Sequence, residues 1–194
     1  MTTFAARPVT SDRSLASRLA TSKRLADATH RSNADESDPP ATPHTGTDAL
    51  RRLVLKVAAQ PARWRDLVAY RQTERYWVRL NSPADIDIWL LTRLPSQGTE
   101  LHDHGDSAAA FVVVGGTLTE ARVRDGRDVH DTRLHVGHAQ TVERGVVHDV
   151  RNTSSEPAVS IHAYSPRLTS MTFYDVAPDR LEPNRTVETD EPEL

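Results

Sequence analysis

From residue 76 to residue 164 the chain is a succession of short apolar runs broken by turn residues, a pattern that admits few folds. Residues 76–80, 86–91, 110–114, 117–123, 140–142, 146–150 and 158–164 are rich in β-branched and aromatic side chains. Gly115-Gly116, Asp125-Gly126, Gly137 and Gly145 punctuate them. Runs this short, closely spaced and separated by turn signals, predict an all-β sandwich or barrel. Ahead of them, residues 47–60 predict a helix, because Leu50, Leu53, Val54 and Val57 recur at i, i+3, i+4 and i+7 and Thr47 stands where a cap is needed. Pro61 stops that helix and opens a second short one, with Trp64, Leu67 and Val68 on one face.

The flanks have a different character. Residues 1–45 are rich in Thr, Ser, Ala, Asp and Pro, and the stretch RSNADESDPPATPHTG has no apolar periodicity, so they read as a flexible tail. Within it, Leu15, Leu19 and Leu25 allow a short helix over residues 14–28. From residue 178 the chain is acidic and contains proline, and reads as a second tail over residues 178–194. One folded domain is therefore expected at residues 46–177. The hydrophobic share of 37% agrees with solvated flanks. A net charge of −3 with no basic stripe argues against a nucleic-acid partner. No apolar run approaches the length of a membrane span, and Arg13, Arg18, Lys23 and Arg24 are not followed by the apolar segment of a secretory signal. With no cysteine, disulfides and thiolate metal sites are excluded, which agrees with a cytoplasmic protein.

The chemistry concentrates in LHDHGDSAAAFVVVGG, residues 101–116. His102 and His104 are two apart, so on a strand both imidazoles point to one face. His148, in GVVHDVRN, stands on another run. Two histidines from one strand and one from a neighbour can form a facial site for Fe, Zn, Cu or Ni. The chance reading of a lone pair of histidines is weakened by what surrounds them. Gly137, Glu143, Arg144, Gly145, His148 and Asn152 have the spacing of the second cupin motif, with glutamate where proline is usual. His104, Ala109 and Gly116 have the spacing of the first, with alanine where that motif usually carries a glutamate ligand. Three neutral imidazoles without that carboxylate leave a divalent ion its full charge, which favours an anionic ligand such as a thiolate and leaves coordination positions open.

HDHGDS, the run GGTLTE at residues 115–120, residues 147–152 and EPAVSIHAYSP at residues 156–166 together resemble the cysteine dioxygenase type I family of cupins. The resemblance covers residues 75–175, and it implies a cupin jelly-roll barrel with short N-terminal helices and flexible tails. It further implies that His102, His104 and His148 hold Fe(II), that Ser160, His162 and Tyr164 correspond to the family's Ser-His-Tyr relay, and that Arg79 in RYWVRLN binds the substrate carboxylate. Arg75 stands close enough in sequence to be the alternative for that last role. The spacing of Ser160, His162 and Tyr164 puts them on one face of a strand, where a satisfied buried polar row is the bland alternative. Animal members carry a cysteine crosslinked to the tyrosine. Here Ala109 stands at that position, so Tyr164 is expected as a free phenol, as in the bacterial members that commonly lack the cysteine.

The implied activity is dioxygenation of a small thiol, cysteine foremost, to its sulfinate, with O2 as co-substrate and a monomer or small homo-oligomer as the working form. 3-Mercaptopropionate is the alternative substrate, and a non-catalytic cupin binding a metal or small molecule the alternative of another class. The family's mercaptopropionate enzymes tend to carry glutamine at the arginine position, and residues 75–80 contain none. His130, His135 and His138 read as solvated loop residues, His30 and His44 as tail residues without a role, and Trp77 and Trp89 as core.

Overall fold

The strand Ala108–Gly115 (β3) sends alternate side chains into two interiors, and the architecture follows from that alternation. Ala108, Ala110 and Val112 pack with Leu50, Val54 and Val57 of the helix Thr47–Ala58 (α1). Ala109, Phe111 and Val113 point the other way and meet Leu118, Leu134 and Val150 of the opposing strands. The strand is thus buried on both faces. Each fully buried Leu or Val of α1 contributes up to about 1.5–3 kcal/mol to seating the helix.

The computed structural model describes residues 45–126 and 128–192. After α1 come two single 3-10 turns, Pro61–Arg63 and Arg65–Leu67. The strands follow: β1 (Tyr76–Leu80), β2 (Asp87–Arg93), β3, β4 (Thr117–Arg124), β5 (Asp128–His135), β6 (Ala139–Val142), β7 (His148–Arg151), β8 (Ala158–Ser165), β9 (Ser170–Val176) and β10 (Leu181–Glu188). One sheet has the order β1-β2-β8-β3-β6, a second β5-β4-β7, and β10-β9 form a hairpin. All pairings are antiparallel. This is the cupin jelly roll the sequence implied, with α1 on the outer face of the larger sheet. Among the described residues its sheets face each other without closing into one continuous hydrogen-bonded cylinder. No helix among those residues is long and apolar enough to cross a membrane.

Several expectations change. Gly46, not Thr47, is the N-cap of α1; Thr47 is its first residue and its hydroxyl donates instead to Glu143 Oε1 at 2.5 Å. The second helix is only the two 3-10 turns. β5 was not foreseen because it is a solvated strand with only Leu134 buried, and His130 and His135 lie on it rather than in a loop. The acidic stretch after residue 178 is not simply a tail. β10 pairs with β9 from Leu181 opposite Val176 to Glu188 opposite Ser170. Val187 packs against the inner core and Arg185 lies 3.9 Å from the centroid of the Phe173 ring, so one apolar contact and one stacked cation hold a strand whose composition is otherwise that of solvated chain. Pro183 sits at the register shift, where a missing N–H costs least. The short helix expected at residues 14–28, and the N-terminal tail apart from residue 45, lie outside the described residues.

Candidate metal centre and the polar row beside it

Three histidines meet because two chain segments are stitched together at their backbones. The segment carrying His102 and His104 is extended without being a regular strand. His102 forms an isolated bridge with His148 of β7, each N–H donating to the other's carbonyl at 2.9 Å. On its other side the segment bonds to β9, through Asp103 N to the Thr172 carbonyl and Tyr174 N to the Leu101 carbonyl, both 2.9 Å. Asp103, between the two histidines, turns outward: its Oδ1 accepts from Gly105 N at 2.9 Å and its Oδ2 from the Tyr174 hydroxyl at 2.6 Å. Burial, and then this bond, push the Tyr174 phenol up to about 12. Gly105 has φ +54°, and a Cβ there would lie 2.5 Å from Ser170 Oγ, so the bend after His104 is tolerated only without a side chain.

The result is a buried cluster of His102, His104 and His148. His104 Nε2 lies 3.2 Å from His102 Nε2 and 3.4 Å from His148 Nε2. The other nitrogens fix the tautomers. His102 Nδ1 is 2.8 Å from the Glu100 carbonyl and His148 Nδ1 is 2.9 Å from Glu120 Oε1. Both partners only accept, so both Nδ1 atoms carry a proton and both Nε2 atoms are turned toward the cluster. Three ring nitrogens, one from each histidine, therefore face one point, an arrangement that a cation satisfies. Metal–nitrogen bonds of ~2.1 Å at angles between octahedral and tetrahedral require N···N distances of ~3.0–3.4 Å, which these match. The residues present fit a divalent metal. Burial first, then the neighbouring His148, hold His102 at about 3, and burial followed by His102 and His148 holds His104 well below its ordinary value. Neutral imidazoles are the metal-binding form.

Sequence reasoning missed the acid behind this cluster. Glu120 on β4 is buried, and its Oε1 accepts from His148 and also from Arg122 Nε at 3.0 Å and Nη2 at 2.9 Å. A carboxylate that orients a metal-binding histidine and raises its basicity is a recurring device. The signal was a lone glutamate on the inward face of a strand, in register with Val150 and two residues from Arg122, which faces His148.

Ser160, His162 and Tyr164 share one face of β8, and Tyr164 reaches the histidine cluster. Ser160 Oγ is 2.9 Å from His162 Nε2. The His162 ring stacks on Phe111 at 4.9 Å and 12°, and on Tyr164 at 6.4 Å and 21°. Tyr164 meets His104 edge-on at 5.0 Å, which puts the phenol beside the cluster. Ala109 lies opposite Tyr164 in the β3–β8 register, so the position that carries a crosslinking cysteine elsewhere holds a methyl group here.

Arg79 is on the same face, in a row Arg79–Trp89–His162 across β1, β2 and β8. Its guanidinium lies 4.5 Å from the Trp89 ring centroid and donates to the Asp190 carbonyl at 2.9 Å and Oδ2 at 3.1 Å, with the buried Asp87 carboxylate at 3.6 Å. Arg75 donates to the Gly98 carbonyl and lines an open cavity of about 410 Å³ with Gln72, Trp77 and Gln97. Trp89 is core, as expected, whereas Trp77 is only partly buried and also faces that cavity. Asn152, the last residue of the second motif, is structural: its Nδ2 donates to the carbonyls of Arg93 at 3.1 Å and Glu156 at 2.8 Å.

A model of the family described as cysteine dioxygenase type I matches residues 44–177. Among solved structures, a protein of Thermus thermophilus is 22% identical, with 53% of this chain and 92% of that chain covered and a TM-score of 0.48. An uncharacterised protein with a double-stranded β-helix domain from Klebsiella pneumoniae is 16% identical, with coverage of 62% and 93% and a TM-score of 0.46. Recombinant oxalate oxidase in complex with glycolate is 13% identical, with coverage of 55% and 58% and a TM-score of 0.48.

Proposed function

Because the chain belongs to the cysteine dioxygenase type I family, we propose that it oxidises the thiol of cysteine to the sulfinate with O2, at an Fe(II) centre held by His102, His104 and His148. The observation that carries this reading is the convergence of three buried imidazoles beside a buried phenol, with an arginine on the same sheet face. The reaction balances without a further reductant: the thiol sulfur gains both oxygen atoms and gives up four electrons, which reduce O2. Iron bound by the three histidines would supply the activation of O2 that no side chain can.

The chain's own residues do the rest. Arg79 presents a planar fork suited to the substrate carboxylate. Its present partners are in keeping with that role: Nη2 donates to one carboxylate oxygen, Asp190 Oδ2, at 3.1 Å and to the Asp190 carbonyl at 2.9 Å. Trp89 beneath the guanidinium keeps it flat against the sheet. Tyr164 offers a hydroxyl next to the histidine cluster, and Ser160 fixes the rotation of His162 through their hydrogen bond. The surrounding shell of Phe111, Met171 and Phe173 is buried, which keeps bulk water from the reacting sulfur.

The test is oxygen uptake by iron-loaded protein with cysteine, 3-mercaptopropionate and cysteamine. Cysteine should give the highest kcat/KM, and cysteamine, which lacks the carboxylate, should lose the Arg79 contact. Faster turnover of 3-mercaptopropionate would replace the substrate but keep the chemistry. No uptake with any thiol would leave a non-catalytic cupin.

A further inference from the structure

Arg93 ends β2 with 1% of its surface exposed, and the proposed reaction gives it no role. A guanidinium keeps its charge at any working pH, so burying it so completely is costly unless polar groups are set against it. Its Nη1 donates to Ser160 Oγ at 3.3 Å, and that same oxygen is 2.9 Å from His162 Nε2. The register explains why the three meet: Leu91 lies opposite Ser160 and Trp89 opposite His162, and Arg93 follows two residues on along the same face of β2. Its backbone is pinned by the Asn152 amide on its carbonyl at 3.1 Å, and Asn152 is itself buried.

The polarity of this line follows from its donors. Arg93 can only donate, whereas a hydroxyl has one proton and two lone pairs. With a cation on one side of Oγ, a lone pair turns toward Arg93 and the proton turns away, toward His162. His162 Nε2 must then be the bare acceptor, and the proton of the neutral ring sits on Nδ1. The reverse arrangement would give both lone pairs of Oγ to donors and leave the buried hydroxyl proton without an acceptor, since Oγ has no other hydrogen-bond partner among the described residues. The Phe111 stack holds the ring in the plane that this bond needs.

We propose that Arg93 is a positioning residue, acting through Ser160 to fix His162 in the Nδ1–H tautomer beside the candidate centre. Its consequence for turnover rests on the thiol dioxygenase reading; the tautomer itself does not. Burial, and next the Arg93 charge, also keep His162 well below its ordinary pKa, so the ring stays neutral while its proton is placed. The relay that the sequence begins at Ser160 thus has a charged residue at its head.

The experiment is nitrogen NMR of full-length, zinc-loaded protein with 15N-labelled histidine, the His162 signals being identified by their loss in His162→Gln. Wild type and Arg93→Lys should show a protonated Nδ1 and a bare Nε2. Arg93→Met should show a mixture or the opposite form. In the iron-loaded enzyme Arg93→Met should lower kcat by about tenfold or more while KM moves less than about threefold, and Arg93→Lys should recover most of the rate. If Arg93→Met does not fold, Ser160→Ala carries the test: it should release the tautomer in the same way, and adding Arg93→Lys to it should change kcat no further. A wild-type tautomer in Arg93→Met or in Ser160→Ala would overturn the proposal. Failure of wild type to oxidise any thiol would sink the function reading and leave the tautomer result standing.

Discussion

Glu120 accepts from His148 Nδ1 and is held by Arg122, so the carboxylate absent at position 109 is present one ligand further out. Its charge would reach a metal held by the three histidines through an imidazole rather than directly, and would offset part of the ion's charge. Glu120→Gln keeps the shape and removes the charge. Metal affinity should fall by roughly 10–100-fold, read by competition with a chelator; unchanged affinity would make Glu120 a fold residue only. Tyr164→Phe should keep metal content and stability and lower kcat on the order of a hundredfold, because only the hydroxyl is removed from a ring whose packing on His104 persists. Turnover and coupling equal to wild type would make the Ser160–Tyr164 row a structural one. At this scale the sequence made the candidate ligands legible, because histidine spacing is read directly. It did not reveal Glu120 or Arg93, because a charged residue in a strand looks like a solvated one until register shows that it faces inward.

The elements that the sequence revealed are those with buried faces. β1, β2, β3, β4 and β8 each place apolar residues at buried positions and fell within a residue or two of where they were expected. β5, β9 and β10 were not foreseen, and the reason is burial: β5 and β10 are exposed along nearly their whole length. β9 did carry a readable alternation, with Met171 and Phe173 inward between Ser170, Thr172 and Tyr174. β10 matters to function because it leads the chain back to Arg79. Thr189 N donates to the Thr169 carbonyl at 2.9 Å, and the next residue, Asp190, binds the guanidinium. If Arg79 serves a substrate carboxylate, Asp190 competes with it. Asp190→Asn should lower KM for cysteine by about threefold, a modest gain because the pair is exposed, whereas Arg79→Ala should raise KM about thirtyfold or more. Steady-state kinetics at equal iron content distinguish these, and a rise of KM in Asp190→Asn would mean that the C-terminal segment positions the arginine rather than occupying it.

For the molecule as a whole, the buried histidines tie folding to pH. His102, His104 and His162 all have pKa values lowered by burial before anything else. The folded state therefore refuses protons that the unfolded chain accepts below about pH 6.5. Stability should be full above that pH and fall as pH drops below it, by about 1.4 kcal/mol per pH unit for each histidine taking part. The melting temperature of metal-free protein should drop between pH 7.5 and 5.5, and a flat profile would mean that the cluster opens to solvent. Bound metal should raise the melting temperature, because only the folded chain brings the three imidazoles together. The proposed chemistry is read from the mass of the product formed from cysteine by iron-loaded protein under 18O2. Cysteine sulfinate should carry two 18O atoms, with one O2 consumed per sulfinate formed. A product carrying one label or none, or disulfide as the main product, would contradict it.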